Sequence, residues 1–222
     1  MQSVLQLFSI HNILFSVQGY EVSYIELLGA LLSLWAYIEI IRRKSRGLII
    51  SMLGSLTLGF LFHQIQLYSD MMLMIYYIIA SAIALVFWQR NKQRNHADLI
   101  KVTRLNPKTR LILLALMFTA IAAFSLTSGS LHQWLPQLFP AQAHFILYDA
   151  TTTTLGITAS ILLIRRNMES MALWFVADII SLSLYFLSGV TFLAITYTIY
   201  AIVDFTGYIL WAHQSRKTNS HQ

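Results

Sequence analysis

The chain has 222 residues, of which 57% are hydrophobic and only 11% charged, against about 25% charged in an ordinary soluble domain. That deficit excludes a soluble globular protein, and the absence of cysteine excludes a disulfide framework, a thiolate metal site and a cysteine nucleophile. The net charge of +6 is gathered in short clusters between apolar blocks, the pattern of membrane loops rather than of a nucleic-acid surface, so no nucleic-acid partner is expected.

A spanning helix needs about 20 mostly apolar residues. In chain order, Val4–Val17 is apolar at helical spacing but short for a crossing, so an interfacial helix is expected within an N-terminal segment 1–23. Spans are expected near 24–42, 47–64 and 69–89, forming a first triple-helix bundle over 24–90. Segment 91–143 holds a basic loop, a linker span at 110–128 and an outer loop, with Asn106-Pro107 marking the break before that span. Spans at 144–164, 170–188 and 191–212 form a second bundle over 144–213, and 214–222 is a polar tail. The fold class is therefore an all-α membrane protein of seven spans in a 3+1+3 arrangement.

With seven spans, all 15 Lys and Arg residues fall on one side. They follow spans one, three, five and seven, from Arg42, Arg43, Lys44 and Arg46 to Arg216 and Lys217. The positive-inside rule then puts the N-terminus outside and the C-terminus in the cytoplasm. Adding or removing one span would scatter the charges. The halves also repeat: shifted by 123 positions, Glu26 meets Asp149, Ile41-Arg42-Arg43 meets Ile164-Arg165-Arg166, Tyr77 meets Tyr200 and Trp88 meets Trp211. Four spans separate the copies, so they share one orientation, and a solute site is expected near the midplane where such repeats meet.

Ionisable groups inside a bilayer are costly and face a cavity or a partner. Glu39 and Glu169 lie beside basic loops and are expected to pair there, while Glu26 and Asp149 sit a turn inside their spans. Asp178 and Asp204 are deep, which makes them the primary candidates. On span six, Trp174, Asp178, Ser181 and Tyr185 fall on one helical face. On span seven, Tyr197, Tyr200, Asp204, Tyr208 and Trp211 recur at steps of three and four. Aromatic faces with a carboxylate suit a small, flat cationic solute through stacking and cation–π contact. The alternative is that the acids and tyrosines only join helices by hydrogen bonds. The first repeat carries Ser51, Ser55 and Ser81 where the second carries Trp174, Asp178 and Asp204, so the site should be weighted toward the second half. Thr151 to Thr154 give span five a polar side. The expected substrate-binding set is Trp174, Asp178, Tyr185, Tyr200, Asp204, Asp149, Tyr77 and Tyr197.

No glycine loop of the nucleotide-binding type is present and the seven histidines are scattered, so no cofactor, metal or catalytic role is expected. The rivals to a carrier are an ion-coupled sugar or metabolite porter and a seven-helix receptor. Beyond the bilayer itself, the sequence leaves a homo-oligomer open.

At this point the sequence resembles the PnuC-type vitamin transporters, whose fold is similar to that of the SWEET sugar transporters. The resemblance covers roughly 24–213. It rests on the three-one-three layout, Leu67-Tyr68-Ser69-Asp70 opening span three and Tyr148-Asp149-Ala150 in span five. It rests also on Glu169 followed by Trp174 and Asp178, and on the Tyr200-to-Trp211 run. It implies facilitated diffusion across a bacterial inner membrane, with a cytoplasmic kinase trapping the solute. Members that carry nicotinamide riboside are similar to one another in a Trp-x-x-Trp-x-x-x-Asn stretch on span six. Here Met171 replaces the first Trp, Trp174 matches the second and Asp178 replaces the Asn. The thiamine-carrying, PnuT-like branch lacks the double Trp. The resemblance thus implies thiamine first and nicotinamide riboside as the alternative, both of them aromatic cations.

Overall fold

A computed structural model describes residues 9–10, 12–17, 19–64, 68–95, 102–134, 146–187 and 191–219. It opens with a hairpin, β1 (Ile13–Val17) antiparallel to β2 (Tyr20–Ser23). Seven helices follow: α1 (Tyr24–Ile41), α2 (Arg46–Gln64), α3 (Tyr68–Asn95), α4 (Pro107–Trp134), α5 (Ile146–Ile164), α6 (Glu169–Leu187) and α7 (Thr191–Asn219). All seven are long and apolar enough to cross a membrane, as the sequence requires.

The N-terminal expectation needs correction. Of that segment, Ile13–Val17 forms a strand rather than an interfacial helix, and residues 4–8 and 11 lie outside the described residues. Gly19 adopts φ 85° in the turn, a conformation glycine reaches without steric cost, and the chain folds back before a helix can propagate. Ser23 then starts α1 by accepting the Glu26 amide, 3.3 Å, on its hydroxyl, the N-terminal half of a capping box. At α4, Asn106 Oδ1 accepts the Thr109 amide at 2.7 Å and Pro107 occupies the first helical position, where its missing N–H costs nothing.

Within each bundle the helices pack in chain order, α1 on α2 on α3 and α5 on α6 on α7, while α4 lies on α5. The bundles meet where α3 touches α5 and where α1 touches α7. The sequence repeat is reproduced bond for bond. Helix α1 ends with Arg43 N–H donating to the Ile40 carbonyl (2.8 Å) and Lys44 N–H to that of Glu39 (2.9 Å). Helix α5 ends with Arg166 N–H donating to Leu163 (2.8 Å) and Asn167 N–H to Leu162 (3.0 Å). These are equivalent Schellman caps. Arg43 (φ 59°) and Arg166 (φ 55°) occupy the left-handed position in each. Burial lowers the titration of both guanidinium groups.

The indoles extend the symmetry across the bundle interface. Trp88 Nε1 donates to the Leu163 and Ile164 carbonyls at 3.3 and 3.2 Å, and Trp211 Nε1 donates to the Ile41 carbonyl at 3.0 Å. Each repeat thus caps the end of the other's first helix. Both rings are fully buried, in a cluster with Ile41, Leu48, Met168 and Met171.

Charged groups collect at this same end. Glu39 accepts from Arg46 Nε and Nη2 and lies 3.7 Å from Arg42. Glu169 accepts from Arg110 and from the Leu105 amide at 3.3 Å. Both acids are paired, as expected. The segment before α4, read as a polar loop, is instead tied down: Thr103 N–H donates to the Arg166 carbonyl and Met168 N–H to the Thr103 carbonyl, each at 3.0 Å. The α5 cap leaves the chain extended and offers Thr103 a backbone edge to pair with.

Candidate functional site

Asp178 sits midway along the span Glu169–Leu187, and Asp204 midway along Ala194–Ser215. Their side of each helix faces inward, and both residues are buried, Asp178 3% and Asp204 0% exposed. Helices α6 and α7 pack along one another, so the two carboxyls are neighbours. Neither oxygen of Asp204 nor Oδ2 of Asp178 has a hydrogen-bond partner among the described residues. Three buried acceptor atoms without a donor are costly in a medium with no water to supply one.

Aromatic rings enclose the pair. Trp174 lies one helical turn from Asp178 toward the basic end, about 6 Å along the axis, and is half-buried. Its indole meets Tyr77 of α3 at 5.6 Å between centroids and Tyr37 of α1 edge-on at 6.3 Å. Tyr37 meets Tyr200 at 5.5 Å, and Tyr200 meets Tyr197 edge-on at 5.9 Å. Farther from the basic end, Tyr185 stacks on Tyr197 at 5.3 Å with an 18° interplanar angle. The rings come from α1, α3, α6 and α7, so the cage spans both bundles. Gly156 of α5 makes room: a Cβ there would fall 2.5 Å from the Tyr77 hydroxyl and 3.4 Å from the Trp174 ring.

Seven of the eight expected residues, Trp174, Asp178, Tyr185, Tyr200, Asp204, Tyr77 and Tyr197, therefore come together. The eighth, Asp149, stands exposed in the first turn of α5. Its place in the repeat is that of Glu26, which accepts the Tyr20 hydroxyl at 2.9 Å. Burial first, then that bond, raise the titration of Tyr20 above the ordinary phenol range. The threonines of α5 turn back on their own helix, Thr151 to the Leu147 carbonyl (2.7 Å) and Thr152 to that of Tyr148 (2.9 Å). Ser51 and Ser81, the first-repeat counterparts of Trp174 and Asp204, lie 3.3 Å apart, so the site is asymmetric as expected.

Tyr37 was not legible in advance. It lies a turn from the basic end of its span, where tyrosines of an interfacial belt also sit, and only the meeting of α1 with α7 turns it inward. Tyr76 also escapes sequence reasoning; its hydroxyl donates to the Ile157 carbonyl at 3.2 Å. Tyr200 does both jobs, its ring in the cage and its hydroxyl donating to the Ala30 carbonyl at 3.3 Å.

Removing the Trp174 ring in Trp174→Ala takes away a stacking face and a cation–π contact. The expected cost is about 1–2 kcal/mol, or roughly 5–30-fold in affinity for an aromatic cation. Calorimetric titration of the purified carrier checks it; wild-type affinity in the variant would place the solute elsewhere.

The family model described as nicotinamide mononucleotide transporter matches residues 23–213. The chain is 26% identical, over 234 aligned positions, to a nicotinamide riboside transporter of Escherichia coli (strain K12) and equally to one of Shigella flexneri. Each alignment covers 96% of this chain and 97% of the relative. The crystal structure of the vitamin B3 transporter PnuC superposes with a TM-score of 0.70 at 18% identity, covering 97% of this chain and 87% of that one, which supports the fold. These relatives are transporters, not enzymes, and none is described as carrying thiamine.

Proposed function

We propose, because the chain belongs to the nicotinamide mononucleotide transporter family, that it carries nicotinamide riboside across a bacterial inner membrane. The observation that supports this most is the cage itself, an aromatic enclosure around two buried carboxyls at mid-span. The pyridinium ring of nicotinamide riboside is flat and positively charged, matching both features. The relatives' substrate, rather than thiamine, agrees with a further detail. Met171, which stands where riboside carriers have their first Trp, is 1% exposed and packs with Trp211 and Ile41. Its position belongs to the core beside the basic end, so the missing indole leaves the described cage intact. Thiamine remains the second reading, favoured by the carboxylate of Asp178 in place of an amide.

The carrier uses no nucleotide, and a cytoplasmic kinase pulls the flux inward by trapping the solute. In proteoliposomes the full chain should take up labelled nicotinamide riboside saturably without ATP, with unlabelled thiamine competing weakly. Saturable uptake of thiamine with none of nicotinamide riboside would reverse the assignment.

We place the N-terminus outside and the basic helix ends in the cytoplasm, following the charge bias. A reporter fused after Gln222 should be cytoplasmic and a tag before Met1 periplasmic. Finding both termini on one side would break the seven-span topology.

A further inference from the structure

We propose that the basic end of α3 and the cap of α5 form a binding site for one anionic phospholipid. Its phosphate sits between Arg166 and Arg90, and an acyl chain lies along the outer face of α3. The site is independent of which solute the aromatic cage carries.

Arg166 is 8% exposed, yet its Nε has no hydrogen-bond partner among the described residues. No carboxylate among them pairs with it: the two at this end, Glu39 and Glu169, are engaged by Arg46 and Arg110. A guanidinium stays charged, and a buried charge without a counter-ion is costly. The backbone holds Arg166 in place. It takes the left-handed position of the α5 cap, φ 55°, and its carbonyl accepts the Thr103 amide at 3.0 Å. Its guanidinium lies over the Phe87 ring, 5.8 Å from the centroid.

That ring faces outward, 40% exposed. Ala82, Ile83, Val86, Phe87 and Arg90 line a shallow groove of about 420 Å³ on this face of α3, while Ala84 and Trp88 turn the other face into the protein. Four apolar side chains leading to an exposed arginine at the basic end match an acyl chain below a charged headgroup. Phosphate oxygens accept from the planar fork of a guanidinium in pairs. A soluble anion would use the two cations alone; a lipid uses the apolar stripe as well.

The other repeat lacks these features. Shifted by 123 positions, the same face of α7 carries Phe205, Thr206, Ile209, Leu210 and His213, with leucine in place of the ring and histidine in place of the exposed arginine. Caps and indoles are duplicated, but the pairing of a buried guanidinium with an outward ring is not. One lipid per chain is therefore expected, at the seam where α3 meets α5.

Native mass spectrometry of the full chain, released from micelles holding equal amounts of phosphatidylglycerol and phosphatidylcholine, tests this. One phosphatidylglycerol should stay bound per chain, and excess inorganic phosphate should not displace it. Arg166→Gln should weaken retention about 30-fold, because a desolvated charge pair is lost. Arg90→Gln, at the exposed end, should weaken it about fivefold. Arg165→Gln removes an exposed charge beside Arg166 and should do no more than Arg90→Gln. Equal retention of the two lipids overturns the proposal. Displacement by inorganic phosphate overturns it too, since the ligand would then be a soluble anion. Equal losses in the three variants would leave only general surface charge, with no site. Circular dichroism checks the fold of each. Should Arg166→Gln unfold, Phe87→Leu, which copies Leu210 and keeps every charge, takes its place; wild-type retention in that variant overturns the proposal.

Discussion

The Asp178→Asn/Asp204→Asn double variant is expected to lose nicotinamide riboside binding by about 30-fold or more. Removing the charged partner of a buried cation costs on the order of 2–5 kcal/mol, because the remaining ion is left desolvated and unpaired. Asparagine keeps the size of aspartate, and two facing amides can donate and accept toward each other. The variant should therefore fold and insert, since replacing buried ionic groups by a neutral, satisfied pair is tolerated. Calorimetric titration with circular dichroism on the same sample separates the effects. Wild-type affinity in a folded double variant would reduce the acids to helix–helix contacts. A single Asp178→Asn should fall in between, since Asp204 still faces the same space.

Trp211→Ala should be among the most destabilising single substitutions at the bundle interface. Its indole is fully buried and bridges α7 to the end of α1 through the Ile41 carbonyl. Truncating a buried Trp costs about 3–5 kcal/mol in water-soluble cores. The low end, about 3 kcal/mol, applies here because lipid is as apolar as the protein interior and the transfer contribution is lost, leaving the cavity and the hydrogen bond. Trp211→Phe tells these apart: it keeps most of the volume and should cost only about 0.6 kcal/mol, the usual value of an interhelical hydrogen bond in a membrane. Thermal unfolding in detergent measures both. Equal losses in the two variants would assign the stability to the bond rather than to packing. Trp88→Ala should behave like Trp211→Ala, since it makes the reciprocal contact.

Met171→Trp, which would restore the double-Trp stretch of riboside carriers, should not improve binding. Gly207 approaches Met171 so closely that a Cβ there would lie 3.4 Å from the Met171 sulfur and 2.7 Å from Ile41. A larger ring has nowhere to go, and overpacking of this kind costs about 1–3 kcal/mol. A lower melting temperature without tighter binding is the expected outcome.

What the sequence determined by itself is the set of properties that depend on one helix at a time. A span must be apolar for its whole length because the bilayer offers its backbone no other solution than a helix, so the seven helices and their breaks at Arg42–Ser45 and Arg165–Met168 are written in composition. The repeat was legible for the same reason: identical caps need the same Ile-Arg-Arg step, and reciprocal bonds need Trp88 and Trp211. Asp178 and Asp204 stood out because a mid-span acid is expensive wherever it lies.

Which of these residues meet was decided only by tertiary packing. Asp149 and Asp204 look alike as acids inside apolar spans, yet one is exposed at a helix end and the other fully buried. Helical periodicity tells which residues share a face, not which neighbour that face receives. Tyr37 enters the cage only because α1 lies against α7, and Tyr77 reaches Trp174 only because Gly156 leaves a gap between the bundles. Contacts between helices distant in sequence depend on shape complementarity summed over both surfaces. No single segment carries that information.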